Sequence, residues 1–112
     1  MRLSTHFSER EFRCRHCGRV RVDPHLIHHL ERLRAIVGRP LVIVSGYRCA
    51  EHNRRVGGAP ESQHLLGRAA DIEAGYATVA QARAAGFVGI GVSGSEVTHV
   101  DVRRGKRALW FY

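Results

Sequence analysis

Apolar residues recur along the chain with two different periods. Between Asp23 and Gly38, the residues Leu26, Ile27, Leu30, Leu33 and Val37 fall at helical spacing and predict an amphipathic helix. Asp23 suits the N-cap, Pro24 the first helical position and Gly38 the stop. His25, His28 and His29 on this helix read as solvated surface, because no acid or cysteine is spaced to complete a site with them. Upstream, "FSEREF" predicts a short helical start, with Ser8 and Glu11 as a capping box and Phe7 and Phe12 as a hydrophobic staple. "CRHCG" reads as a turn. "PLVIVSG" is continuously apolar and β-branched, which predicts a buried central strand ending near Ser45.

"CAEHNRRVG" then reads as a short helix, "GAPESQ" as a loop and "AADIEA" as a strand. "TVAQARAAG" is a short helix with Gly86 past its end, "VGIGV" and "VTHVDV" are strands, and "ALWFY" is a last one. Helices come first, then strands with one helix between them. This order predicts an α+β fold, a small single domain whose largely antiparallel sheet packs against helices. No repeat, low-complexity tract or linker divides the chain. One domain is expected over residues 1–112, with an N-terminal helix and turn segment at 1–20 and a core at 21–112.

Composition narrows the class. The chain has 112 residues, 44% hydrophobic and 25% charged, which is globular and enough for one modest core. No apolar run is long enough to span a bilayer, and "MRLSTHFSEREF" carries no apolar signal region, so a cytoplasmic site of synthesis is expected. Lysine plus arginine number 18 against 10 acids, a net charge of +8. That balance favours polyanionic partners: nucleic acid, anionic membrane, or cell-wall polymers with carboxylates and phosphates.

The polar positions inside the strands carry the chemistry. Alternation along "VTHVDV" puts His99 and Asp101 on one face and Thr98, Val100 and Val102 on the other. In "AADIEA", Asp71 faces away from Ile72. If the two strands are neighbours, Asp71 and His99 converge, and His64, on the segment leading into the first strand, can fold over them. Gly67 and Ala69 would let that backbone pass close to the site. Two imidazoles and one carboxylate form a catalytic zinc set with a fourth position open, in a cleft on the sheet. Glu96, three residues before His99, is the candidate general base, and Asp101 would orient a ligand imidazole. Each histidine taken singly reads more readily as a polar residue at a half-buried position, and it is the joint pattern that points to metal.

"SQHLLGRAAD" fits S-x-H-x-x-G-x-A-x-D at every fixed position, and "EVTHVD" fits the [DE]-x-x-H-x-D that follows it. Together with "SGYRCAEHN", these resemble the zinc D-Ala-D-Ala carboxypeptidase family. Its relatives include vancomycin-resistance D-Ala-D-Ala dipeptidases and phage L-alanyl-D-glutamate endopeptidases. The resemblance runs from about "DPHLIHHLERL" to "THVDV". It implies His64, Asp71 and His99 as zinc ligands, Glu96 as the catalytic acid/base, Arg48 near the scissile carbonyl and Ser62 as a substrate-holding residue. It also implies a small α+β fold and a peptidoglycan stem peptide as substrate, cut by a carboxypeptidase or an endopeptidase. Such a protein would act on the wall once released or exported; a monomer is the default expectation, independent of the resemblance. Without that motif, Arg48 reads as surface charge and Ser62 as a cap of local backbone. Asn53 reads as a packing or hydrogen-bonding residue of its helix.

Cys14 and Cys17 form a C-x-x-C pair, with Cys49 apart. They read as three reduced thiols or as a second, structural zinc site completed by His16 or His52. Two other functions compete with the peptidase. One is a basic, zinc-containing nucleic-acid-binding module, which gives Asp71 and Glu96 no role and shows no base-stacking aromatic pattern. The other is an inactive peptidase-like domain that only binds wall fragments.

Overall fold

The computed structural model describes all 112 residues. Three helices, α1 (Pro24–Val37), α2 (Ala50–Arg55) and α3 (Val79–Ala84), accompany five strands. The strands are β1 (Ile43–Ser45), β2 (Ala69–Ile72), β3 (Gly89–Ser93), β4 (Glu96–Asp101) and β5 (Ala108–Phe111). They form one sheet in the order β1-β2-β4-β3-β5. Every pair is antiparallel except β3–β5, which is parallel. This is the α+β architecture expected from the order of elements.

Helix α1 forms where the apolar stripe predicts it. Asp23 accepts the His25 N–H at its start, and Gly38 ends it with φ at 80°. Its face of Leu26, Leu30 and Leu33 is fully buried in one core with Ala70, Ile72, Ile90, Val92, Val97 and Val100 from the sheet. Each such leucine contributes about 1.5–3 kcal/mol on burial. The N-terminal segment closes one end of this core. Phe7 and Phe12 pack edge to face at 6.1 Å, and Glu11 accepts the Ser8 N–H at 2.8 Å, around a single 3-10 turn (Glu9–Phe12).

Two expectations about strands are corrected. β1 is an edge strand, not a central one. Only Leu41 and Ile43 of "LVIV" point inward, while Val42 and Val44 are 43% and 50% exposed. The register jumps from Ile43↔Ile72 to Ser45↔Asp71, so Val44 is an extra, outward residue in a bulged edge. A continuous apolar run cannot distinguish this from a buried strand. The second correction is at β4. Gly91 pairs with His99 but Val92 pairs with Val97, so Thr98 is a bulge residue. Val97 and Val100 therefore both enter the core, and Thr98 leaves the apolar face to which strict alternation assigned it. The Thr98 hydroxyl meets that of Ser93 at 3.0 Å.

Candidate metal centre

The sheet face opposite the core carries the polar constellation. β2 and β4 are neighbours, and Asp71 and His99 are direct cross-strand partners. His64 sits on a 3-10 helix (Gln63–Leu66) just before β2, and the Ser62 hydroxyl caps that helix by accepting the His64 N–H at 3.2 Å. The glycines of "VGIGV" keep this face clear. A methyl at Gly89 would lie 2.2 Å from Asp101 Oδ2, and one at Gly91 would lie 2.9 Å from Trp110 Nε1 and 3.0 Å from His99 Cβ. Gly67 has a different task from the one expected. It turns at φ +69° against the backbone of residues 21–22, where a methyl would strike the Arg21 carbonyl, and it takes no part in clearing the site.

His64, Asp71 and His99 bring one donor atom each to within 4.8 Å of one another. Their proton positions follow from what surrounds them. His64 Nδ1 lies 2.6 Å from the Gly46 carbonyl, which can only accept, so Nδ1 carries the proton. His99 Nε2 lies 2.8 Å from Asp101 Oδ2 and donates to that carboxylate. The remaining nitrogens, His64 Nε2 and His99 Nδ1, face Asp71 Oδ1 at 3.2 and 3.1 Å. With neutral imidazoles, two lone pairs and a carboxylate oxygen converge with no donor among them. Only added positive charge satisfies that arrangement, whether a metal ion or protons. The spacing matches the edge of about 3.3 Å between ligands of a tetrahedral zinc. These residues therefore fit the metal.

The charges agree. Burial would raise the Asp71 pKa, but the His64 and His99 rings outweigh it and hold the carboxyl well below its usual range. Burial lowers the His99 pKa, yet Asp101 and Asp71 more than reverse this and raise it. Asp101 is fully buried, and despite that burial His99 and Arg103 keep it ionised well below the ordinary range.

Other residues line or brace a cleft of about 440 Å³ whose walls include His64, Asp71 and His99. Arg48 lines it and donates to Asp71 Oδ2 at 2.8 Å, so the two oxygens of Asp71 serve different partners. Asn53 is buried and donates to the Ala59 carbonyl at 2.8 Å, holding the cleft-edge loop. Ser62 lines the cleft as well as capping His64. Glu96 stands at the start of β4, half-buried, paired across the strands with Ser93. The bulge sets its side chain on the Thr98 side of the strand, opposite Val97, but it neither lines this cleft nor hydrogen-bonds to the cluster.

Sequence reasoning missed three residues here. Arg103 forks onto Asp101 through Nε at 2.9 Å and Nη2 at 2.7 Å, and continues the His99, Asp101 alternation by one step. That alternation was the available signal. Trp110 packs on the His99 ring at 5.0 Å, through the parallel β3–β5 pairing that no local pattern announces. Gln63 lines the cleft with a buried Oε1 that has no partner in the fold.

Comparison with known families matches residues 5–101 to Peptidase M15. The chain belongs to the peptidase M15 family. No curated protein matches it. Membership in peptidase M15 places the chain among metallopeptidases that use zinc, in agreement with the donor set above. The matched span contains His64, Asp71, His99, Glu96, Arg48 and all three cysteines. No helix is long and apolar enough to cross a membrane.

Proposed function

We propose that the chain is a zinc peptidase that hydrolyses stem peptides of bacterial peptidoglycan, at a terminal D-Ala-D-Ala bond or an internal L,D or D,D bond. The observation that carries this reading is the convergence of His64 Nε2, His99 Nδ1 and Asp71 Oδ1, three acceptors with no donor among them, inside a cleft. Zinc there supplies a Lewis acid that lowers the pKa of water and polarises a peptide carbonyl. The chain's own residues do the rest. Glu96 takes the proton from the attacking water and passes it to the leaving amine. It is the acid three residues before His99, half-buried at the start of β4. Arg48, fixed by Asp71 and facing the cleft, stabilises negative charge on the carbonyl oxygen. Ser62 offers the peptide a polar contact at the cleft wall. Asp101 holds the His99 tautomer and is in turn held by Arg103. The chain acts as a monomer once it reaches the wall.

The deciding experiment digests purified peptidoglycan with the wild type and with Glu96→Gln and reads the products by mass spectrometry, with zinc per chain measured in parallel. The wild type should release peptide fragments with one new amine per cut. Glu96→Gln should keep its cleft zinc and lose turnover by about 10²–10⁴-fold. An unchanged rate in Glu96→Gln would remove the assignment of the base. Absence of cleavage by zinc-loaded wild type would remove the peptidase reading.

A further inference from the structure

The three cysteines lie outside the cleft and outside the mechanism. They are distant in sequence yet meet in space, with Sγ atoms all within 4.8 Å of one another. An edge of about 3.8 Å separates thiolates on a tetrahedral zinc, so only a small adjustment is needed. All three are free thiols, and three thiols cannot be consumed by one disulfide.

The backbone around them is shaped for thiolates. "CRHCG" turns tightly, with the Gly18 N–H donating to the Cys14 carbonyl at 3.0 Å and the Cys14 N–H donating to the Arg19 carbonyl at 2.8 Å. Gly18 supports this turn with φ +73°. Cys14 Sγ, buried in the fold, accepts the Cys49 N–H at 3.4 Å and is faced by the N–H groups of His16 and Cys17. Cys49 is the N-cap of α2, and its Sγ accepts the His52 N–H at 3.4 Å. N–H donors aimed at sulfur stabilise the deprotonated ligand form.

Two imidazoles belong to the same segments. The His16 and His52 rings stack with centroids 6.4 Å apart and 3° between their planes. His16 is engaged by Glu51 at 3.0 Å and faces Arg55 at 3.5 Å, whereas the His52 ring makes no hydrogen bond. We propose that Cys14, Cys17 and Cys49 hold a second zinc ion in a structural site, closed at the fourth corner by His52 when its ring, which lies outside the close spacing of the three thiols, turns toward them. This site stands independently of the activity of the cleft.

Its position gives it a task. Cys49 follows Arg48 directly, the Tyr47 N–H donates to the Phe12 carbonyl at 2.9 Å, and the Gly46 carbonyl holds His64. A methyl at Gly46 would lie 2.6 Å from Phe12 Cα, so the two segments touch backbone to backbone. A metal joining residues 14–17 to Cys49 clasps the N-terminal segment against the strand end that carries Arg48 and braces His64.

The test uses the full chain and cobalt(II) as the probe. His64→Ala empties the cleft, so any metal it retains belongs elsewhere. That variant should bind one cobalt per chain with thiolate-to-cobalt charge-transfer absorption, and His64→Ala combined with Cys17→Ser should lose that band. Cys17 is exposed, so its serine variant is expected to fold. In unmutated protein, zinc should slow the reaction of the thiols with a colorimetric thiol reagent by at least about tenfold, and a chelator should restore it. A cobalt spectrum without the thiolate band, thiols equally reactive with and without zinc, or a single remaining free thiol would each overturn the proposal. Loss of peptidase activity alone bears on the cleft and not on this site.

Discussion

Asp101 shows how one buried side chain can decide the chemistry of a neighbour. It accepts from His99 Nε2, from the Arg103 backbone N–H at 3.1 Å and from the Arg103 fork, with no exposed surface. Asn at this position keeps the shape but presents only one accepting oxygen. If its amide nitrogen faced His99, the ring proton would move to Nδ1, the atom aimed at Asp71. Asp101→Asn should therefore weaken zinc binding about 10–100-fold and lower stability by about 1–3 kcal/mol. Competition with a chelator of known affinity and urea unfolding measure the two effects. Unchanged zinc affinity would show that Asp101 does not set the tautomer. Much of this was legible in the sequence, because a strand period of two puts His99 and Asp101 on one side. The carbonyl that fixes His64 was not legible, since Gly46 contributes it from the backbone and no residue type signals it.

At the scale of elements, the sequence predicted types well and positions within the sheet less well. The stripe and caps of α1 are local properties, and the helix stands between the expected Asp23 and Gly38. Whether β1 is central or at an edge depends on partners far along the chain, and the bulge at Thr98 depends on the facing strand. The tie between the N-terminal segment and α1 is another long-range feature. Glu31 of α1 accepts from the Ser4 hydroxyl at 2.5 Å and the His6 N–H at 2.8 Å, and meets His6 Nδ1 at 2.6 Å. Burial would raise its pKa, but the Ser4 and His6 contacts outweigh this and lower it. A carboxyl with a lowered pKa in the fold contributes its stability fully above the unfolded value. That contribution is lost as pH falls through the folded value. The clasp should therefore hold at neutral pH and loosen only in acid, as pH falls through that lowered value. Hydrogen exchange of the peptide covering residues 1–12 should show this loosening only in acid for the wild type. Glu31→Gln should show it already at pH 7, with a loss of about 1 kcal/mol. Equal protection of both proteins at neutral pH would mean that Phe7 and Phe12 alone hold the segment.

For the whole molecule, the net charge of +8 is the feature that the cleft chemistry does not consume. Of the cleft's cations, Arg48 and Arg103 are already paired with Asp71 and Asp101, so the surplus lies elsewhere on the surface. On the cleft walls the acids Asp71 and Glu61 stand beside Arg48 and Arg103, so these side chains give the cleft no surplus positive charge of its own. A dispersed positive surface around a partly acidic cleft suits a substrate held within a large anionic polymer, with attraction over the surface and chemistry inside the cleft. The two functions separate by salt. Attraction between exposed charges is screened as the Debye length shrinks from about 10 Å at 0.1 M to about 3 Å at 1 M. The ion pairs of the cleft, partly or fully buried, are screened much less. Digestion of insoluble wall should therefore fall several-fold as sodium chloride rises across that range. Turnover of a short, soluble stem peptide by the same preparation should change by less than about twofold. Parallel decline of both rates would place the salt effect in the cleft. A flat response of both would show that the surplus charge does not bring the chain to the wall.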